Sequence, residues 1–200
     1  MGTLFDSTIT ESNVTAKTKR QDFVFVFKPE RTLAWLGGVT YSNLEYILGE
    51  IKELSRVNAN EEIHLLVSSY GGATGIGMSF YDAIRTWLKP KLCTIGSGDV
   101  DSSGVIVFLA GEKRFLTPNT TMLLHLGGRT FEHDKRFSTL DMQNMLKEDH
   151  LKDLQYAGVI SEATGGKYSV ERILKLMAKN TILTAEEAVN MGLAHKVLRS

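Results

Sequence analysis

The chain has 200 residues and a mass of 22.2 kDa, the size of one compact domain with a short appendage at most. Hydrophobic residues make up 42%, which excludes disorder along the whole length, and 23 basic residues balance 23 acidic ones, which argues against a binder of nucleic-acid backbones. One cysteine, Cys93, excludes an intrachain disulfide and a multi-cysteine zinc cluster.

Residues 1–22 are rich in Thr, Ser and charge and read as a flexible N-terminal arm ahead of a single domain, 23–200. They hold no secretory-type apolar stretch, and Asp6 stands where a myristoylation signal needs Ser or Thr, so the expected compartment is the cytoplasm. Phe23 to Phe27 and Thr32 to Trp35 read as strands, the second closed by Gly37-Gly38. Leu44, Ile47, Leu48, Ile51 and Leu54 predict the first helix, which Thr40 or Ser42 can cap. Ile63 to Val67 is a buried-type strand ending at Ser68-Ser69-Tyr70-Gly71-Gly72. Ile76, Phe80, Ile84 and Trp87 stripe a second helix, and Leu92 to Ile95 is a strand ending at Gly96-Ser97-Gly98. The run Val105 to Leu109 is too short to classify by period and far below the roughly 20 residues of a membrane span. Arg114 to Leu116 and Met122 to Leu124 are short strands with Pro118-Asn119 turning between them. Residues 137–163 read as a charged helix, Val170 to Met177 as another, and Thr184 with Glu187 as the capping box of the last. Strands alternating with helices predict an α/β fold built on a mainly parallel sheet.

Ligands and catalytic groups gather beyond the carboxyl ends of such strands, and three segments place unusual residues there. Gly71-Gly72 lets backbone N–H groups turn toward a ligand, or simply makes a tight turn. Ser102, between Asp101 and Ser103-Gly104, lies at a strand-to-helix junction, where it serves as a nucleophile or as an ordinary cap. His125, following Met122 to Leu124, is a general base or a backbone-bonded histidine. Together they form an acyl-transfer set of hydroxyl, imidazole and oxyanion donors. The hydrolase elbow G-x-S-x-G is absent, since Val100 takes the first glycine position. The glycines at 72, 75 and 77 match no nucleotide-binding pattern. Asp99 and Asp101 read as loop solvators or caps, and Cys93 as a small core residue.

The segment from Glu62 to Ala194 resembles the proteolytic subunit of the Clp protease (the ClpP family), as a divergent member. "HLLVSSYGGATGIGMSFYDAI" is similar to the family's strand, S-P-G-G turn and helix, with Tyr70 replacing proline. "GSGDVDSSGVIVFLAGEKRFLTPNTTMLLHLGG" is similar to its nucleophile segment, central hairpin and histidine segment. "SVERILKLMAKNTILTAEEAVNMGLAHKVL" is similar to its closing helix, acid position and E-A-x-x-x-G-L signature.

The resemblance implies a ClpP/crotonase-like fold of ββα repeats, with flanking helices and a protruding helical handle at 129–163. It implies a serine endopeptidase with Ser102 as nucleophile and His125 as base. The N–H groups of Gly72 and Ser103 would form the oxyanion hole. Gly71, Leu126, Gly127 and Gly128 would bind substrate, the last three as an edge for an added strand. An ungapped match from Ser169 to Ala185 puts Asn180 where the family usually has Asp, giving a Ser-His-Asn triad. The implied assembly is a homo-oligomer of stacked heptameric rings, fed with unfolded polypeptide by a Clp-type AAA+ unfoldase that alone uses ATP. No metal, cofactor, nucleic acid or membrane partner is implied. Residues 1–22 do not resemble the family's axial loops. A non-catalytic ring subunit is the alternative, and an acyl-CoA binder of the crotonase type a more distant one.

Overall fold

The computed structural model describes residues 27–131 and 133–199, so the expected arm and most of the strand at Phe23 to Phe27 lie outside the described residues. Strand β1 (Thr32–Val39) leads to helix α1 (Tyr41–Val57), strand β2 (Ile63–Gly72) and helix α2 (Thr74–Asp82), which runs on into a π-helical stretch, Ala83–Leu88. Strand β3 (Leu92–Val100) and helix α3 (Ser103–Leu109) follow, then strands β4 (Lys113–Leu116) and β5 (Thr121–Leu124). Helix α4 (Thr139–Ala163), helix α5 (Val170–Met177), strand β6 (Thr181–Thr184), helix α6 (Ala185–Met191) and strand β7 (Lys196–Val197) complete the chain. The parallel sheet has the order β1-β2-β3-β4-β7; β5 pairs with the far end of β3, and β6 pairs antiparallel with β5.

The main core lies where the sheet meets the helices. Trp35 and Phe80 are fully buried there, ring edge to ring face with centroids 5.1 Å apart. Alternate residues of β2 (Ile63, Leu65, Val67) face this core. The opposite face of the sheet carries a smaller cluster of Cys93, Ile95 and Phe115, with Leu66 and Leu198 against it. Cys93 is thus a core residue of β3, and burial pushes its thiol up to about 12, so the thiol is neutral.

Helix α3 is buried along all seven residues, which explains why no periodic stripe betrays it: a helix surrounded by core needs no polar face. Capping matches expectation at Thr40, which accepts from Asn43 N–H, and at Thr184, reciprocally bonded with Glu187.

Several boundaries differ from the sequence reading. Strand β1 does not close at Gly37-Gly38 but passes through both, with a bulge between Leu36 and Gly38. Strands β2 and β3 likewise continue through the glycine-rich segments read as their ends, because each keeps a parallel neighbour there (Gly72 beside Val39, Val100 beside Ser69). The charged helix starts at Thr139, behind a capping box of Ser138 and Asp141. Strands β4 and β5 are not a hairpin despite the turn between them; each pairs in parallel with a different stretch of β3. Strands β6 and β7 had no sequence signal of their own, being only four and two residues long.

Candidate active site

The site forms where β2, β3 and β5 end together. Between β3 and α3 lie just Asp101 and Ser102, and the chain must turn sharply into a buried helix. Ser102 does so at φ 55° and ψ −131°, a conformation rare for a residue with a side chain. Two lacings hold it there. Ser102 N–H donates to Leu123 O at 2.9 Å, and Leu123 N–H donates back to the Asp101 carboxylate at 2.9 Å. From the other side the buried Tyr156 hydroxyl of α4 donates to the Ser102 carbonyl.

Ser102 occupies the N-cap position of α3, yet its side chain makes no capping bond. The ordinary reading of a serine at a helix start therefore fails here, and the hydroxyl is left for other use. It faces Gly71 across a very short gap: a Cβ on Gly71 would fall 2.5 Å from Ser102 Cβ and 3.0 Å from its Oγ. Gly71 (φ +94°) and Gly72 (φ +154°) adopt conformations that a side chain opposes, so the glycine pair is required by backbone shape as well as by space. The N–H of Ser103, first residue of α3, has no intrahelical acceptor, as at every helix start.

His125 follows β5 directly and is half-buried. Nearby, burial raises the Asp101 carboxyl above the ordinary aspartate value and Asp99 adds to the rise, while the Leu123 N–H bond and, least, the neighbouring His125 pull it back down. The imidazole thus lies within electrostatic reach of the residue preceding Ser102. Asn180 precedes β6 at φ 51°, exposed, with its N–H donating to Met177 O at 3.0 Å. The β5–β6 ladder pairs Thr121 with Thr184 and ends with Leu124 opposite Thr181. The ladder stops there: His125 and Asn180, the latter in the left-handed region, each stand one residue beyond its last pair. No hydrogen bond among the described residues joins His125 to Ser102 or to Asn180.

Gly72 lines a hollow of about 360 Å³ with Tyr41, Ile76, Gly127 and Gly128, so Gly72 and the segment after His125 share one depression. Leu126, Gly127 and Gly128 are exposed, but Gly127 N–H is already committed to the Asp153 carboxylate of α4 at 2.8 Å. Arg129 extends the tether, meeting both carboxylate oxygens of Asp149 within 2.9 Å and Glu148 at 2.6 Å.

Sequence reading missed the roles of Asp101, Tyr156 and Asp153. Asp101 had been assigned to solvation or capping, whereas its carboxylate ties β3 to β5. For Tyr156 the only signal was its place in the buried stripe of Tyr156, Ala157, Val159 and Ile160 on α4. Nothing in a stripe tells that a hydroxyl reaches a carbonyl 54 residues away.

The sequence profile describing the Clp protease family matches residues 16–200. "ATP-dependent Clp protease proteolytic subunit 3" of Rhizobium meliloti (strain 1021) is 31% identical over 173 residues, covering 85% of this chain and 84% of its own length. The corresponding subunit of Paracoccus denitrificans is 32% identical over 150 residues, 72% of this chain and 69% of that protein. Among solved structures, an asparagine-to-aspartate mutant of ClpP1 from Listeria monocytogenes superposes with a TM-score of 0.75 at 26% identity, covering 86% of this chain and 92% of the other. Fold, motif order and sequence agree, and the chain belongs to the Clp protease family.

Proposed function

We propose that this chain is a serine endopeptidase subunit working inside a ring-shaped, self-compartmentalising assembly. The observation that carries the reading is Ser102: an uncapped hydroxyl on a strained strand-to-helix junction, set against a glycine pair and laced to the strand that delivers His125. Strain of this kind persists only where the surroundings over-determine it, and it collects at reacting groups.

In the reaction Ser102 Oγ attacks the peptide carbonyl carbon while His125 takes the hydroxyl proton. The N–H groups of Gly72 and Ser103 hold the resulting oxyanion. His125 then returns the proton to the leaving amine, and water, activated by the same ring, hydrolyses the ester on Ser102. Asn180 can accept an imidazole N–H and orient the ring but adds no charge to stabilise the imidazolium, so turnover is slow. Substrate would lie along Leu126 to Gly128, which requires Gly127 N–H to leave Asp153.

We infer enclosure in stacked rings, with a Clp-type AAA+ unfoldase supplying unfolded chains; membership of the family supports this reading, as do the names of the relatives, proteolytic subunits of an ATP-dependent protease. Reaction of the purified assembly with a serine-directed fluorophosphonate, alongside fluorogenic peptides, tests the assignment. One adduct per chain at Ser102, lost in Ser102→Ala together with peptidase activity, is the expected result. An intact oligomer that neither labels nor hydrolyses would instead support the non-catalytic subunit, the reading favoured by the uncharged, exposed Asn180.

A further inference from the structure

On the sheet face away from α1 and α3, at the opposite end of β2 and β3 from Ser102, three groups with ligand chemistry converge. His64 and Cys93 are register partners on the parallel β2–β3 pair, so their side chains stand next to each other on that face. Glu62 lies just ahead of β2 on the same side. The imidazole nitrogen, thiol sulfur and carboxylate oxygen of the three residues all fall within 4.8 Å of one another. Both His64 and Cys93 are almost wholly buried, at 3% and 0% exposure, and the Phe27 ring stacks over His64.

We propose that Glu62, His64 and Cys93 form a binding site for a divalent cation of the zinc class. A lone buried cysteine would be a packing residue, but here the sulfur lies beside a nitrogen and an oxygen ligand. Thiolate, imidazole and carboxylate are the three donor types that borderline cations such as Zn²⁺ accept, three of them leaving one coordination position open. The spacing fits. His64 Nε2 and Glu62 Oε1 are 3.2 Å apart. Nitrogen and oxygen ligands each about 2.0 Å from a tetrahedral ion lie about 3.3 Å from one another, and a sulfur ligand about 3.5 Å from the nitrogen. Cys93 Sγ therefore has to close at most about 1.3 Å on the nitrogen, within the reach of a χ1 adjustment.

The surroundings also orient the ligands. Lys113 Nζ holds the second Glu62 oxygen at 2.6 Å, which leaves Oε1 turned toward His64. Its charge opposes the cation but its hydrogen bond fixes the carboxylate, as outer partners of metal ligands commonly do. Binding breaks the Cys93 S–H bond, forms a sulfur–metal bond and passes the proton to solvent, with no change in oxidation state. A multi-cysteine cluster was excluded by composition and no metal was expected; this mixed set draws on residues from separate strands that only the sheet brings together.

The test uses the full-length, tag-free chain, stripped with a chelator and titrated with Co²⁺ as the spectroscopic probe, then with Zn²⁺ in competition. The expected result is one ion per chain, with a near-ultraviolet thiolate-to-cobalt charge-transfer band that Zn²⁺ abolishes. Cys93→Ala, a small-for-small change in a core position, should remove the band and weaken binding about 100-fold or more. His64→Phe, which keeps a ring beneath Phe27, should weaken it similarly and carries the argument if the alanine variant misfolds. The absence of saturable binding, binding without the thiolate band, or affinity unchanged in both variants would each overturn the assignment.

Discussion

Replacing Gly71 with alanine is the sharpest probe of the geometry around Ser102. The new methyl would sit 2.5 Å from Ser102 Cβ, 3.0 Å from its Oγ and 3.1 Å from the Asp101 carbonyl, at a backbone φ of +94°. Ser102 has little room to retreat, because Leu123 O holds its N–H and Tyr156 its carbonyl. Left-handed backbone costs an ordinary residue about 1–2 kcal/mol, and an overpacked contact adds about 1–3 kcal/mol. The substitution should therefore destabilise the chain by about 2–5 kcal/mol, moving a urea midpoint by roughly 1–2 M at fixed protein concentration. Where the variant stays folded, the displaced hydroxyl should react with a fluorophosphonate about 10²-fold more slowly, the penalty for an ångström of misplacement. Native-like stability combined with a native labelling rate would refute the claim that Gly71 and Ser102 are in contact.

Three further substitutions probe the same junction. Asn180→Asp keeps a residue type tolerant of positive φ at an exposed position, so stability should hold while peptidase turnover rises by up to about 10⁴; unchanged or lower turnover in an intact assembly rejects the orienting role. Tyr156→Phe removes one donor from the Ser102 carbonyl, which keeps the Val105 N–H at 2.9 Å, so the loss in urea stability should be about 0.5–1.5 kcal/mol with a slower labelling rate. Wild-type values for both would show that the tyrosine does not position Ser102. Asp101 has a folded pKa above the ordinary aspartate value of 3.8, raised chiefly by burial, so ionising it opposes folding. That penalty is absent below the unfolded value and complete above the folded one. Asp101→Asn retains an acceptor for Leu123 N–H and should gain on the wild type in urea midpoint as pH rises from 3.5 to 7; a gap that narrows over that range contradicts the assignment.

Much of the molecule was legible in one dimension because its signals are local. The 3–4 spacing of Leu44, Ile47, Leu48 and Ile51 announces a helix wherever it occurs, and Thr184 with Glu187 caps one through groups three residues apart. The family motifs are legible for the same reason, being contiguous runs. Helix α3 was not, since burial on every side erases its stripe. Nor were β6 and β7, whose pairing partners lie far along the chain.

The sequence by itself determined the fold class, the family and which residues could carry the chemistry. It also placed Ser102 at a junction and His125 after a strand, because those are properties of neighbours. Only the tertiary structure decided that Ser102 declines its capping bond, that the Asp101 carboxylate accepts from Leu123 N–H, and that His125 and Asn180 each stand one residue beyond the last pair of the β5–β6 ladder. It alone set Glu62, His64 and Cys93 around a common point. Each of these depends on distances between strands that are remote in the chain, and such distances are set by packing and register, which no local pattern encodes.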